Sequence, residues 1–270
     1  MNVKSLSSIP PWDWPEDADT VILETLADPN APKKTRLLAA ELGGEFTILS
    51  DRVAEALLAV VGSEAEPAEL RARAAISLGP GLEEVDWTEF DDLDEPQLSQ
   101  PLFERIQSAL RQLYSDAEVP KEVRRAVLEA SVRYPMDWHA EAVRAAYAFD
   151  DEEWRLTAVF CMRYVKGFEE EIIEALESED DDIHYQAVCA AGEWEIDAAW
   201  RHIARLVSSE GTEKELLLAA IDAAASIRPD EAHGLLGDLL DSDDPEVAEA
   251  ANDAISCADR GEDLDDEDEE

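Results

Sequence analysis

Apolar residues recur along this chain at helical spacing, in blocks separated by Pro, Gly or Asp. The pattern is sharpest from Asp150 to Glu193, where one eight-residue phrase occurs twice. Trp154-Arg155-Leu156-Thr157-Ala158-Val159-Phe160-Cys161 is answered by Ile183-His184-Tyr185-Gln186-Ala187-Val188-Cys189-Ala190. Both read apolar, basic, two variable, alanine, two variable, small. A helix written this way packs its small residues tightly on a neighbouring helix and turns its variable ones to a groove.

The same phrase, with its basic position at Arg36, Arg71, Arg124, Arg155, His184, Leu217 and Ala248, runs through most of the chain. Each copy follows another apolar helix, shorter in the fourth and fifth units, so the unit is a helix pair with a period of about 30 residues. Pro32, Pro67 and Pro120 fall three residues before the apolar start, where a first turn has no use for an N–H; Asp151 and Asp180 take that place later and serve it by capping. One gap, between Arg71 and Arg124, is too long by about 20 residues, which places an insertion at 79–100. The expectation is an all-α protein, an α-solenoid of about seven helix pairs wound as a right-handed superhelix. Residues 1–16, with Trp12 and Trp14 among prolines too dense for a helix, form a cap on the first repeat; 17–258 form the array; 259–270 form a disordered acidic tail.

Composition then narrows the function. Hydrophobic residues make up 46%, enough for a continuous core, while 66 Asp and Glu against 22 Lys and Arg leave a net charge of −44. That field opposes nucleic acid and anionic lipid, and it favours cationic partners, or plain solubility in a saline cytoplasm. Cys161, Cys189 and Cys257 stand alone without paired spacing, so they read as small buried thiols of a reducing cytoplasm rather than disulfides or a metal site. There is no 18-residue apolar run and no signal-peptide core, so a cytoplasmic location is expected.

The Pro/Asp, apolar, Arg, Ala, small phrase on each second helix resembles HEAT repeats, and its short period is similar to the HEAT-like repeats of phycobilin lyase proteins. The stretches Leu78-Gly79-Pro80-Gly81-Leu82-Glu83-Glu84 and Trp154 to Val165 resemble an uncharacterised bacterial HEAT-repeat family. The resemblance implies that second helices line the concave side. It also implies that Arg36, Arg71, Arg124 and Arg155 are structural, bonded to Asp or backbone in neighbouring turns.

Enzyme chemistry finds little support. HEAT-like hydroxylases that bind iron place His-Glu dipeptides on successive repeats, and none occurs; His139, His184, His202 and His233 fall at different repeat positions, so no metal or other cofactor is expected. No phosphate loop, nucleophile elbow or Cys-His arrangement can be read. The favoured function is a scaffold that binds a protein or peptide partner on its concave face without catalysis. Two alternatives stand beside it: an acidic nucleic-acid mimic or chaperone for a basic protein, and a bilin-lyase-like accessory protein.

Variable positions one and five residues after the basic one should face the groove, and the least charged lie in the middle of the array, at Leu156/Phe160 and Tyr185/Cys189. The candidate ridge is Leu156, Phe160, Tyr185 and Gln186, with the alternative that Phe160 and Tyr185 pack within the core. In the insertion, Trp87 and Phe90 stand among acids. They either pin that loop onto the array or fill the groove until a basic partner displaces it.

Overall fold

The computed structural model of the chain describes residues 2–45, 49–83 and 98–265, with side chains through Ala258. Its helices, in order, are α1 (Val3–Leu6), α2 (Ala18–Ala27), α3 (Lys33–Leu42), α4 (Asp51–Gly62), α5 (Ala68–Glu83), α6 (Gln100–Ser115), α7 (Lys121–Ser131), α8 (His139–Tyr147), α9 (Glu152–Cys161), α10 (Glu169–Ala175), α11 (Asp181–Glu193), α12 (Trp200–Val207), α13 (Lys214–Ile227), α14 (Pro229–Leu236) and α15 (Pro245–Asp265). No strand occurs among the described residues. From α2 onward the helices fall into seven consecutive pairs, and the protein is an α-solenoid of HEAT-like helix pairs. The chain divides into two compact units, Met1–Ala142 and Val143–Glu270.

In the first unit the second helices stack in sequence, α3 on α5 and α5 on α7, while α4 packs beside α2 and α6. Ile22, Leu57, Leu70, Leu78, Ile106 and Leu110 are wholly or almost wholly buried, so each pair closes its core on the next. Pro32 and Pro120 occupy N-cap positions in extended backbone, and their carbonyls accept the first helical N–H groups, those of Thr35 and Arg36 and of Val123 and Arg124. The prolines therefore sit just outside the helices, where they donate nothing and lose nothing.

Two expectations need correction here. Residues 11–13 are helical, as a 3-10 turn that opens on Pro11, since a proline φ suits a first turn. Trp14 lies against α1 and donates from its indole N–H to the carbonyls of Leu6 and Ile9, at 3.0 and 2.9 Å, whereas Trp12 is 78% exposed. The other correction is at the insertion. Residues 79–83 belong to α5, which continues through Pro80 to Glu83, because Leu78 and Leu82 are fully buried on either side of the proline and hold the turn. A Cβ on Gly81 would run into the Leu49 side chain, which would have to move aside. Leu98, which is fully buried, returns the chain beside Gly81, and Ser99 N–H donates to Asp51. Trp87 and Phe90 lie outside the described residues.

In the second unit α9, α11, α13 and α15 stack in the same way. Asp151 and Asp180 cap α9 and α11 by accepting from Trp154 N–H and Ile183 N–H at 3.2 and 3.0 Å. Small residues set the closeness of approach: Ala158, Ala187 and Ala220 have no exposed surface, and a Cβ on Gly192 would lie 2.9 Å from Ala223 Cα. α11 ends with Glu195 in the left-handed region, φ 49°, and the Ile196 N–H reaches back to the Ala191 carbonyl. α15 runs on to Asp265, past Ala258 where the repeat phrase ends; residues 266–270 are not among those described.

Candidate functional site

The basic position of each second helix ties its pair together. Nε of Arg36, Arg71 and Arg124 donates to the carbonyls of Leu26, Val61 and Tyr114, ten residues back in the last turn of the preceding helix, at 3.1, 2.8 and 2.8 Å. A carbonyl left over at a helix C-terminus needs a donor, and the guanidinium supplies one with its charge placed favourably for the helix dipole. Arg36 also reaches forward to both carboxylate oxygens of Glu66, at 2.6 and 2.7 Å. The hydrogen bond with Arg36 holds the Glu66 carboxyl below its ordinary pKa, and the same bond raises that of Arg36.

The ladder changes character in the second unit. Arg155 Nη2 donates to the Tyr147 hydroxyl and to Glu174, while its Nε has no partner among the described residues. At the next step His184 meets His202 of α12, Nε2 to Nε2, at 2.8 Å. Arg205 Nη2 and Glu177 Oε1 both meet His202 Nδ1, at 2.9 and 3.3 Å; the first contact needs that nitrogen to accept and the second needs it to donate, so the tautomer of His202 decides which ring supplies the proton between the two. Burial first, then a neighbouring basic group, lowers the pKa of both: His202 for His184, Arg205 for His202. The pairing could be suspected from His184 alone, which stands where the ladder has Arg, but nothing in the spacing names His202.

The groove lies between α11 and α13, in the second unit, with a volume of about 1230 Å³. Its floor is Tyr185, Gln186, Cys189, Leu218 and Ala219, with Arg163 at one side. The rim is acidic, with Asp181, Asp182, Glu193, Glu213, Glu215 and Asp222. The floor carries no charge at neutral pH: Cys189 and then burial raise the Tyr185 hydroxyl, and burial raises the Cys189 thiol, which makes it a poor nucleophile. Burial also pushes the Asp222 carboxyl upward, so a cation beside it would be favoured. Gln186 Oε1 and Arg163 Nε have no hydrogen-bond partner among the described residues. Lys214 is engaged by Asp244 and Glu246 of the neighbouring pair and does not offset the rim.

Comparison with known proteins adds little. No family model matches the chain, and no curated protein sequence does. Solved structures do match in outline. The X-ray structure of Escherichia coli YibA is 16% identical over 91% of this chain and 84% of its own, with a TM-score of 0.47. Human deoxyhypusine hydroxylase in complex with glycerol is 16% identical over 96% and 88%, at 0.42. The CpcE and CpcF complex of phycocyanin lyase from Nostoc sp. PCC7120 is 15% identical over 93% and 98%, at 0.46. At such values the likeness carries no functional argument, and the solenoid is read from this chain's own helices.

Of the ridge residues expected from sequence, Tyr185 and Gln186 line the groove together, joined by Cys189, Leu218 and Asp222 from the same register positions. Leu156 and Phe160 are half-buried on α9 and do not line it; the Phe160 ring lies 5.6 Å from that of Tyr164. Arg163 went unnoticed because it follows α9 and belongs to no repeat position. Two thiols depart from the expected burial: Cys161 is buried, Cys189 lies in the groove, and Cys257 is exposed. Among the described residues no three His, Cys, Asp or Glu side chains are grouped to hold a metal ion, and no helix is long and apolar enough to cross a membrane.

Proposed function

We propose that the protein is a non-catalytic binding scaffold whose α11/α13 groove takes a basic segment of a partner protein. The observation that supports this reading is the pairing of an uncharged, partly aromatic floor with a rim of carboxylates. Apolar contact on Tyr185 and Leu218 supplies affinity, and the acidic rim steers lysine and arginine side chains toward it. Gln186 Oε1, buried in the groove wall, has no hydrogen-bond partner among the described residues and can accept from the bound chain once its side chain turns. An acidic mimic of nucleic acid would use charge without this floor, so the groove favours the scaffold.

The test uses fluorescein-labelled amphipathic peptides rich in lysine and leucine, with glutamate counterparts as controls, read by anisotropy. The basic peptides should bind and the acidic ones should not. Tyr185→Ser with Leu218→Ser should weaken binding about tenfold or more, the usual effect of losing central apolar anchors. Equal binding by that double variant would remove the groove from consideration.

A further inference from the structure

The first unit holds a second concavity, between one face of α6 and the chain from Tyr134 to Trp138, with a volume of about 460 Å³. That is the size range of small-ligand sites. Phe103, Gln107 and Arg111, spaced four apart and so aligned on one helix face, form one wall, and Tyr134, Met136 and Trp138 form the other. The aromatic parts are preset. Phe103 meets Tyr134 edge-on with centroids 4.8 Å apart, and Trp138 rests on His139 at 3.9 Å. His139 is itself fully buried, accepting from the Met136 N–H and bonded to the Ser131 hydroxyl.

Gln107 lines this pocket and is 7% exposed, yet neither its Nε2 nor its Oε1 has a hydrogen-bond partner among the described residues. Leaving a buried donor or acceptor unmade is unfavourable, and Phe103, Ile106 and Leu110 around it are all buried, so an apolar residue would suit packing better. An amide offers one donor and one acceptor side by side, and its complement is another amide. One turn further along, Arg111 is exposed and forms no ion pair among the described residues, in a chain with three times as many acids as bases.

We propose that this pocket binds the free C-terminus of a peptide chain ending in an apolar residue. With a turn of its side chain the Gln107 amide, closed off from solvent, pairs with the last peptide group, Arg111 takes the terminal carboxylate, and the last side chain enters between Phe103, Tyr134 and Trp138. Side chains four apart on a helix lie about 5–6 Å from each other, which suits a carboxylate and a peptide group one residue apart, where successive Cα atoms are about 3.8 Å apart. Chain termini are captured elsewhere by nests of backbone N–H groups, and an Arg guanidinium supplies the same kind of charge-assisted donor to a carboxylate. Glu104, about 10 Å from Arg111 along the helix axis, lies beside the upstream residues and favours a lysine or arginine there. The site is in the first unit and stands independently of the α11/α13 groove.

The full chain would be titrated with hexapeptides of two lysines, three alanines and a final leucine, methionine or phenylalanine, each made as the free acid and as the amide. On the wild type the acid should bind about tenfold more tightly than the amide, as expected for a charge-assisted pair. Arg111→Gln should erase that difference. Gln107→Leu should weaken binding of both forms and raise the melting temperature, because it replaces an unpaired buried amide with an apolar group of similar shape. Tyr185→Ser should change none of these values. No binding by any acid-ended peptide, equal affinity of acid and amide on the wild type, or a lowered melting temperature for Gln107→Leu would overturn the assignment.

Discussion

Arg36 donates to the Leu26 carbonyl from both Nε and Nη2, at 3.1 and 2.7 Å, while the same guanidinium clasps both oxygens of Glu66 thirty residues ahead. One side chain therefore closes its own pair and fastens it to the next. Arg36→Met should destabilise the protein by about 3 kcal/mol in urea unfolding, the low end for removing one partner of a buried pair, since the Glu66 side chain keeps 22% exposure. Arg36→Met combined with Glu66→Leu should recover much of that loss. A single variant within 1 kcal/mol of wild type would mean that the carbonyl and carboxylate find water instead.

The stacking of second helices is set by small side chains. Ala158→Glu and Ala187→Glu each place a carboxylate at a contact with no exposed surface, and both should unfold the second unit, read by loss of helical circular dichroism at 25 °C. Gly192→Ala is the gentler probe. Its added methyl would meet the Ala223 backbone at 2.9 Å, and a cost of about 1–3 kcal/mol is expected from overpacking. Wild-type stability in all three would contradict the register.

Much of this was legible because a helix repeat writes its contacts into a fixed phrase. Ala158, Ala187 and Ala220 occupy the close contacts that their position predicts, and Tyr185, Cys189, Leu218 and Asp222 face the groove from positions one and five after the basic residue. What escaped the sequence depends on neighbours brought from outside the phrase. Pro80 reads as a helix stop, but Leu78 and Leu82 are buried on either side and carry α5 through it. Phe160 has the same register as Cys189 and yet turns toward Tyr164. Gln107 is one polar residue in an apolar stripe, visible only when its missing partners are counted.

Glu195 ends α11 in a conformation that suits glycine, φ 49°, with its own N–H on the Gly192 carbonyl and that of Ile196 on Ala191. A side chain in the left-handed region costs about 1 kcal/mol. Glu195→Gly should therefore raise stability by about 0.5–1 kcal/mol, less the entropy that glycine adds to the unfolded chain. A fall in melting temperature would show that the Glu195 side chain contributes an interaction that outweighs its backbone strain.

His139 supplies a pH dependence whose sign is fixed by its surroundings. Burial lowers its pKa from 6.5 to about 4, with the Met136 N–H donated to Nδ1 and the Arg111 cation nearby. The folded state holds the ring neutral while the unfolded chain protonates it, so the unfolded state binds more protons between these values and stability falls as pH drops through that window. The full contribution is present above pH 6.5, and about 3 kcal/mol is lost on reaching pH 4. His139→Gln should flatten the pH 6.5 to 4 limb of the stability curve while lowering the plateau above it. If the variant keeps the wild-type slope, another group is responsible, and the lowered pair His184 and His202 is the next to replace.

Self-repulsion sets the last expectation. Arg52, Arg105, Lys33 and Lys214 already hold carboxylates, so the 66 acids exceed the 22 bases largely as unpaired surface charge. Exposed like charges repel over about 10 Å at 0.1 M salt, whereas the Arg36–Glu66 pair, with 10% and 22% of its side chains exposed, is screened far less. Added NaCl should thus weaken repulsion more than attraction, and the melting temperature should rise by about 5 °C between 0.02 and 1 M, equivalent to about 2 kcal/mol in a chain this long. Sodium sulfate would not test this cleanly, because it also strengthens apolar burial. A melting temperature that stays flat or falls in NaCl would mean that the carboxylates are balanced locally, and it would remove electrostatic steering of a basic partner as the reason for the acidic rim around Tyr185 and Leu218.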